Sequence, residues 1–377
     1  MFIENALKSQ TATEITLIFK PILNWKFLVH CLAFVWIVTA SLGAGKPWDQ
    51  HKLKSYVEKK IRINSKVLRI KSKPLGSSGA AFLARLPSLQ TLHTLTLYET
   101  HIGDKGVREL AQSKYLIHLE HLNLEKNGIS DQGVHDLIHS PLMAKLRTLN
   151  LYRNKVGNEG AITLARSNNV KRLDVLNLSF NLIGDLGALQ ITQSKNLKNL
   201  KSLNMTGNPL GVSGKRESDK FDFKIIFRAL EKEGLLENLE NRYIGDLGLE
   251  ALLETDLMAS TGRLNLAKNN ITDTGIQLLV SSPKIQKLET LNLAHNQIHD
   301  PGIRILTRSG YIGNLKELIL DFNYIGDEGA RWLAQSAQLK NLERLSLVEN
   351  QIGPIGARAL ADSKYLINLK HPIFGFH

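Results

Sequence analysis

The amino-acid sequence predicts an α/β solenoid, a horseshoe with a parallel β-sheet on its concave face and helices on its convex face, built from about eleven repeats of 27 residues. Three observations predict this fold. From residue 68 to the end, the chain repeats itself at a fixed period. Aromatic residues make up 6% of the 377 residues and hydrophobic residues 43%, so leucine carries most of the apolar content. Within each period, an alternation of apolar and polar residues gives way to helical spacing.

The repeat period is measured from the second leucine of each Leu-x-Leu pair, which we call the anchor. Nine of the ten intervals between anchors are 27 residues, and the interval from Met205 to Leu239 is 34. A glycine stands nine residues after every anchor. Such regularity is typical of stacked coils, each of which contacts only its neighbours. The anchors of coils 1 to 11 are Ile70, Leu97, Leu124, Leu151, Leu178, Met205, Leu239, Leu266, Leu293, Leu320 and Leu347.

Each coil is predicted to open with a short strand. The Leu-x-x-Leu-x-Leu pattern alternates with period two, as expected of a strand with one buried face. Three residues after most anchors comes an asparagine, whose side chain is suited to hydrogen-bond the unpaired backbone of adjacent coils. These asparagines are Asn127, Asn154, Asn181, Asn208, Asn269, Asn296, Asn323 and Asn350.

A helix is predicted to follow the asparagine. An Ile, Val or Leu comes first, often followed by Gly-Asp as in Gly184-Asp185, and the aspartate is expected to cap the helix that begins there. Because a helix is wider than a strand, a stack of such coils must curve with the sheet inside. The helix residues predicted to be buried are Leu110, Leu137, Leu164, Leu252, Leu279, Leu306, Leu333 and Leu360.

The pattern LxxLxLxxNxIGDxGaxxLa resembles the ribonuclease-inhibitor-like class of leucine-rich repeats, over roughly residues 68–370. Members of this class include ribonuclease inhibitors, Ran GTPase-activating proteins, and repeat proteins that pathogenic bacteria deliver into host cells. The resemblance implies a leucine-rich-repeat solenoid that binds a protein partner through the concave strand face and the loops beside it. It does not identify the partner, because repeats of nearly identical pattern bind unrelated targets.

The repeat domain is assigned to residues 68–377, with an irregular longer repeat at 206–239. Within that repeat, residues 215–238 form a longer amphipathic segment in which Ser218 stands where the helix leucine belongs. In the following coil, Arg242 replaces the asparagine. Two explanations remain open: sequence drift in one coil that a longer helix repairs, or a protrusion specific to one partner.

Two segments precede the repeats. Residues 1–45 contain an apolar stretch at 27–44 that ends in small residues, as a secretory signal does, and its 18 residues also approach the length of a membrane anchor. Residues 46–67 are assigned to a basic linker or N-terminal cap. We therefore expect the protein to be exported or membrane-attached; the alternative is a cytoplasmic protein or one delivered into a host cell.

The position of the positive charge bears on the partners. Residues 46–73 hold ten Lys and Arg against two acidic residues, which is most of the net charge of +13. A horseshoe that binds nucleic acid is expected to line its curved face with basic residues, so this distribution disfavours nucleic acid and favours contact of residues 46–73 with anionic lipid. The single cysteine, Cys31, excludes a disulfide framework, and the missing cysteine-rich caps favour a bacterial origin.

The sequence contains no pattern that indicates an enzyme. His135 and His139 resemble the histidines of an HExxH zinc helix, but the glutamate is missing and Leu137 is a core position of its repeat. The segment from Gly43 to Lys46 lacks the first glycine and the Ser/Thr of a phosphate-binding loop. No residue is therefore assigned to catalysis, a cofactor or a metal ion.

The candidate binding face follows from strand alternation, which points the residues just before and after each anchor to the concave side. The asparagines before the anchors, such as Asn123 and Asn150, are attributed to the repeat consensus. Residues after the anchors vary, and exposed tyrosine and arginine are common at the centres of protein interfaces. The residues predicted to bind a protein partner are Tyr98, Glu125, Tyr152, Arg153, Phe180, His295, Asp321 and Phe322.

Two functional hypotheses remain open. The first is a bacterial protein-interaction module, exported or membrane-attached, that acts on a host protein in the manner of a pathogen effector. The second is a membrane-tethered intracellular scaffold, whose basic stretch contacts anionic lipid while the repeats hold a partner. A GTPase-activating regulator is a further alternative, because Ran GTPase-activating proteins share the repeat class.

Overall fold

A computed structural model describes residues 48–370, and within them the chain forms ten strands and twelve α-helices. The strands are β1 (Val67–Lys71), β2 (Thr94–Tyr98), β3 (His121–Asn123), β4 (Thr148–Asn150), β5 (Val175–Asn177), β6 (Ser202–Asn204), β7 (Arg263–Asn265), β8 (Thr290–Asn292), β9 (Glu317–Ile319) and β10 (Arg344–Ser346). The helices are α1 (Gln50–Ile63), α2 (Gly76–Ala84), α3 (Gly103–Ala111), α4 (Asp131–Ile138), α5 (Asn158–Arg166), α6 (Asp185–Thr192), α7 (Val212–Lys232), α8 (Gly245–Leu253), α9 (Asp273–Val280), α10 (Asp300–Leu306), α11 (Asp327–Ala334) and α12 (Pro354–Ala361).

Several helices lead into the next strand through a short 3₁₀ helix. These 3₁₀ helices are Pro87–Leu89, Pro141–Lys145, Asn168–Val170, Leu257–Ser260, Pro283–Ile285 and Ala337–Leu339.

The strands pair in parallel, each with its neighbour in sequence, so the predicted α/β solenoid is confirmed. β1 to β6 form a six-stranded sheet, and β7 to β10 form a four-stranded sheet. The register advances by one repeat at every step, since Leu95 pairs with Leu122 and Leu122 pairs with Leu149. Equivalent side chains therefore form straight columns across the sheet, which fixes the binding face described below.

The core lies between the sheet and the helices. In coil 4, the strand leucines Leu149 and Leu151 and the helix leucine Leu164 are fully buried. Burial of one such side chain stabilises the fold by about 1.5–3 kcal/mol, so each coil depends on its neighbours for much of its stability. All of the helix leucines predicted to be buried are buried. The buried residues form two clusters, one ending at Phe221 and the other beginning at Phe227.

The repeated asparagine links consecutive coils, as its position predicts. The Asn154 Nδ2 donates to the carbonyl oxygens of Leu124 and Leu151, at 3.0 and 2.9 Å. Its Oδ1 accepts from the backbone N–H groups of Asn127 and Ile129 in the preceding coil, each at 3.0 Å. One side chain thus satisfies backbone groups that the turn leaves without a strand partner.

The aspartate after the asparagine does not cap its own helix, so that prediction is wrong. Ser130 caps α4 by accepting from the Gln132 N–H, and Asp131 is already the first helical residue. From there its carboxylate reaches the next coil, where Oδ1 accepts from the Gly157 N–H at 2.6 Å. The same bond to the start of the following helix is made by Asp104, Asp185, Asp246, Asp273, Asp300 and Asp327.

That aspartate explains the glycine nine residues after the anchor in seven of the eleven coils. A Cβ added to Gly160 in α5 would lie 2.5 Å from the Asp131 Oδ1 and 3.2 Å from the Asp131 Cα. The requirement is for space between two adjacent coils and not for a left-handed backbone.

The stack is interrupted between coils 6 and 7, and we call this boundary the seam. Coil 7 contributes a single bridge between Asn238 and Asn265 in place of a strand. Among the described residues, no backbone hydrogen bond joins 202–210 to 236–244. Arg242 replaces the asparagine, and Val212 stands where seven other coils have the aspartate. Both side-chain ladders are therefore broken at the point where the strand ladder stops.

Helix α7 spans the seam and holds it with charged side chains. It packs against α6 on one side and α8 on the other. Lys220 is buried in α7, donates a hydrogen bond to Glu250 at 3.3 Å, and forms ion pairs with Glu217 at 3.0 Å and with Glu254. Arg216 and Lys224 pair with the same two α8 carboxylates.

The pKa values in this network favour the charged forms. Burial opposes the charge of Lys220, but hydrogen bonds to Glu254 and Glu217 outweigh it and raise the pKa of the lysine to about 12. Burial also opposes the charge of Glu254, while hydrogen bonds from Lys220 and Lys224 hold its pKa below the ordinary 4.5. The network stabilises the seam fully between pH 4.5 and 10.5, the ordinary pKa values of the two groups. Its contribution is lost as the pH falls through the Glu254 pKa or rises through about 12.

Helix α1 covers the open side of coil 1. The α1 side chains Leu53 and Val57 are fully buried against coil 1. The Tyr56 hydroxyl of the same helix donates to the Arg69 carbonyl at 3.2 Å. None of the helices in residues 48–370 combines the length and apolar character needed to cross a bilayer. The apolar stretch at 27–44 lies outside the described residues.

Candidate functional site

The predicted binding residues lie where the strands end, and we call the positions one to four after each anchor the strand-exit edge. The second of these positions has a left-handed backbone in all eleven coils, with φ between 50° and 75°. Ten of the eleven carry a side chain there, although this conformation costs L-residues about 1–2 kcal/mol. In eight of the eleven coils, the next residue is the asparagine of the ladder, which hydrogen-bonds the neighbouring backbone. These residues are Ser72, Glu99, Lys126, Arg153, Phe180, Gly207, Asn241, Lys268, His295, Phe322 and Glu349.

Three predicted residues of coils 4 and 5 form one unit, which we call the aromatic cluster: Tyr152, Arg153 and Phe180. The Arg153 guanidinium carbon lies 5.4 Å from the centroid of each ring, and the two rings meet edge to face at 5.3 Å. Phe180 is 45% exposed. A Cβ on Gly207 would lie 2.7 Å from the Phe180 Cδ1, so the ring rests against that backbone. The cluster is therefore both exposed and fixed in position.

Two further predicted residues, Tyr98 and Glu125, continue this surface through coils 2 and 3. The Lys126 Nζ donates to the Tyr98 hydroxyl at 2.9 Å and lies 3.7 Å from a Glu99 carboxylate oxygen. The hydrogen bond to Tyr98 raises the pKa of Lys126. Glu125 stands between Tyr98 and Tyr152 in the same column, since each occupies the first position after its anchor.

The other predicted residues lie in coils 9 and 10. The His295 and Phe322 rings stack with centroids 4.1 Å apart and planes 8° from parallel. Asp321 has a structural role: its Oδ1 accepts from the Ser346 hydroxyl at 2.6 Å and from the Val348 N–H at 2.8 Å. In coils 3 to 9 the asparagine before the anchor accepts this N–H, and Asp321 compensates for the serine in coil 11.

The predicted residues thus form two groups, which the structure does not bring together. Coils 5 and 9 are separated by three intervening coils and by the seam between the two sheets. Sequence reasoning also missed exposed apolar residues four positions after the anchors, namely Leu182, Tyr243 and Tyr324. The same repeat alignment would have found them, because the turn brings the second and fourth positions to one edge.

The two histidines His135 and His139 lie at the C-terminal end of α4. Their rings lie 4.3 Å apart, and the His139 Nδ1 is hydrogen-bonded to the His135 carbonyl at 2.8 Å. Between residues 48 and 370, no group of three or more His, Cys, Asp or Glu side chains is arranged to hold a metal ion.

Comparison with known proteins identifies the repeats. A family model described as a leucine-rich repeat matches residues 115–137, 143–165, 196–214, 263–280, 284–304, 314–334 and 338–361. No curated protein matches the chain.

Among solved structures, an internalin from Listeria monocytogenes is 19% identical, with 88% of this chain and 90% of that chain covered and a TM-score of 0.27. The structure of a TDR receptor is 15% identical, with 74% of this chain and 51% of that chain covered and a TM-score of 0.26. The family model falls on seven of the stacked coils, each of which carries the buried leucines and the asparagine ladder, so these coils are leucine-rich repeats stacked in a solenoid.

Proposed function

We infer that the chain is a non-enzymatic protein-binding module that holds its partner against the strand-exit edge, with the aromatic cluster at the centre. The position of Arg153 between Tyr152 and a half-exposed Phe180 carries this proposal. Tyrosine and arginine dominate the energetic centres of protein interfaces. The cluster offers two aromatic rings for stacking and a guanidinium that donates hydrogen bonds, and both kinds of contact are common where proteins bind each other.

The aromatic cluster is prepared for binding before a partner arrives. Arg153 stacks on both rings, and among the described residues no carboxylate lies within ion-pair distance of its guanidinium. Its N–H groups are therefore free to donate to a partner carboxylate or carbonyl. Since the left-handed backbone and Gly207 already fix the side chains, little conformational entropy is lost on binding.

Replacement of Tyr152 and Phe180 together by alanine is expected to weaken partner binding by at least about thirtyfold, the loss usual for an interface centre. The partner is captured with tagged wild-type protein from an extract of the producing cells or their host, identified by mass spectrometry, purified, and titrated by calorimetry. Leu186→Ala is the control, because Leu186 is 53% exposed but lies on helix α6, away from the strand-exit edge. Unchanged affinity in the double variant, or an equal loss in the control, would place the interface elsewhere.

Two finer assignments belong to the same proposal. The helix on the outer side of each 27-residue coil supports the ribonuclease-inhibitor-like class of repeat. The apolar residues 27–44, followed by small residues, support a bacterial protein that is exported or membrane-attached and acts on a host protein. Contact of residues 46–73 with anionic lipid stays a prediction.

Export is tested by expressing the protein with a C-terminal tag, fractionating the cells and sequencing the N-terminus of the product. We expect cleavage near Ala40 or Ala44 and recovery outside the cytoplasm. An intact, membrane-bound chain whose repeats resist external protease would instead support the tethered intracellular scaffold.

A further inference from the structure

A second surface lies at the opposite edge of the sheet, where α7 overhangs the loops that lead into β4, β5 and β6. It is a groove of about 640 Å³, which we call the basic groove. Seven Lys and Arg side chains line it against two carboxylates, a net of five positive charges. The cations that define its walls are Lys171, Arg172 and Lys198 on the loops and Arg228 and Lys232 on α7.

Most of this charge is not neutralised within the chain. Asp174 is already paired with Arg147 at 2.7 Å and with Lys201 at 3.2 Å, and the hydrogen bond from Arg147 lowers the pKa of the aspartate. Among the described residues, no carboxylate lies within ion-pair distance of any of the five cations that define the walls. The groove therefore presents an excess of cations to an incoming ligand.

The same sheet edge in the C-terminal half carries a net of only one positive charge. A hollow of about 720 Å³ there is lined by Lys287, Lys316 and Lys370 together with Glu289 and Glu343. The carboxylates pair with the lysines, as Glu289 does with Lys316 at 2.9 Å. A basic excess is therefore no general property of this edge.

The irregular repeat creates the difference. α7 has 21 residues where the other repeat helices have seven to nine, so it extends roughly 30 Å and reaches past the strand starts. Its buried face holds Phe227 and Leu230 in the core. The Arg228 guanidinium donates to the Lys198 carbonyl at 3.2 Å, which fixes the helix over the loop. The longer helix thus does more than repair a defective coil.

We propose that the basic groove binds an acidic, extended segment of a partner protein. Leu200, Ile225 and Ala229 give the groove an apolar floor between its cations, which suits a peptide that alternates acidic and apolar side chains. No aromatic residue lines the groove to stack on a base, and the charge covers only three coils, so a nucleic acid strand lacks both a stacking platform and a long track. This surface is distinct from the aromatic cluster, and its role does not depend on the proposed function.

The proposal is tested with the full chain and a fluorescein-labelled ten-residue peptide of alternating Glu and Ala, by anisotropy at about 150 mM salt, where distant charges are screened. Arg172→Glu together with Lys232→Glu is expected to weaken binding about tenfold or more. Lys287→Glu together with Lys340→Glu is the matched control, because it changes the net charge equally and Lys287 occupies the repeat position of Arg172. We expect less than a twofold change in the control and unchanged thermal melting in both variants.

Two further probes separate the possible occupants. A peptide with Gln in place of Glu is expected to bind at least tenfold more weakly than the acidic one, and a ten-nucleotide oligo-dT is expected to bind no better than the Gln peptide. Equal weakening by both charge-reversal pairs, or equal binding of the Gln peptide, would overturn the proposal. Tighter binding of oligo-dT that Arg172→Glu abolishes would assign the groove to nucleic acid instead.

Discussion

Asn296→Ala is expected to lower the free energy of unfolding by about 4 kcal/mol, since several buried backbone groups would lose their partner at about 1–3 kcal/mol each. The Asn296 Nδ2 donates to the carbonyls of Leu266 and Leu293, at 3.0 and 2.9 Å. Its Oδ1 accepts from the N–H groups of Asn269 and Ile271, at 3.1 and 2.9 Å. The side chain is 5% exposed, so water does not replace these bonds.

Urea unfolding followed by circular dichroism measures the loss. Asn292→Ala in the same coil is the control, because Asn292 lies on the concave face and, within residues 48–370, its Oδ1 accepts only the Ala294 N–H, at 3.0 Å. That variant should cost about 1 kcal/mol. If both variants cost the same, the asparagine ladder contributes no more than an ordinary turn hydrogen bond.

Gly329→Ala is expected to destabilise the protein by about 2–3 kcal/mol, the cost of overpacking a filled interior. In an ordinary helix the same change stabilises by up to about 1 kcal/mol, so the predicted sign is reversed. A Cβ on Gly329 would lie 2.5 Å from the Asp300 Oδ1 and 2.7 Å from the Ile325 Cγ2. Asp300 is held in place because it accepts from the Gly326 N–H at 2.6 Å.

A double-mutant cycle isolates this contact. Gly329→Ala should cost at least about 1 kcal/mol less in an Asp300→Ala background, because the carboxylate is gone. Gly310→Ala is the control, since nothing lies within 4 Å of the added Cβ, and it should change stability by less than about 0.5 kcal/mol. Equal costs in the two backgrounds would mean that Ile325, and not Asp300, requires the glycine.

The sequence predicts what repeats within a coil, because period and alternation are local. The strand leucines, the inward asparagines and the concave position of Tyr152 all follow from spacing. The destination of the aspartate does not: Asp131 stands where a helix cap is common, and only the stacking of coils shows that its carboxylate reaches Gly157.

The sequence predicts which positions of the candidate site are exposed, but it does not predict which side chains contact each other there. Spacing selects Arg153 and Phe180 as exposed, whereas their mutual contact depends on the left-handed turn and on the register between coils. Asp321 shows the converse, because a residue chosen for its exposed position compensates for Ser346 in the next coil. The basic groove could not be predicted from the sequence, because its cations come from three loops and one helix that are distant along the chain.

The seam is expected to divide the solenoid into two cooperative units, since both the sheet and the core are split there. In a stack of coils, unfolding that starts at one end spreads as long as neighbouring coils are strongly coupled. The strand, asparagine and aspartate bonds supply that coupling elsewhere, whereas Lys220 and its glutamates supply it between α7 and α8. Unfolding that begins at the C-terminal end should therefore stop at the seam, between α8 and α7, with the first six coils still folded. Salt and extremes of pH weaken the ion pairs of the seam before they weaken the other contacts between coils. The solution conditions therefore determine whether the solenoid unfolds in one transition or in two.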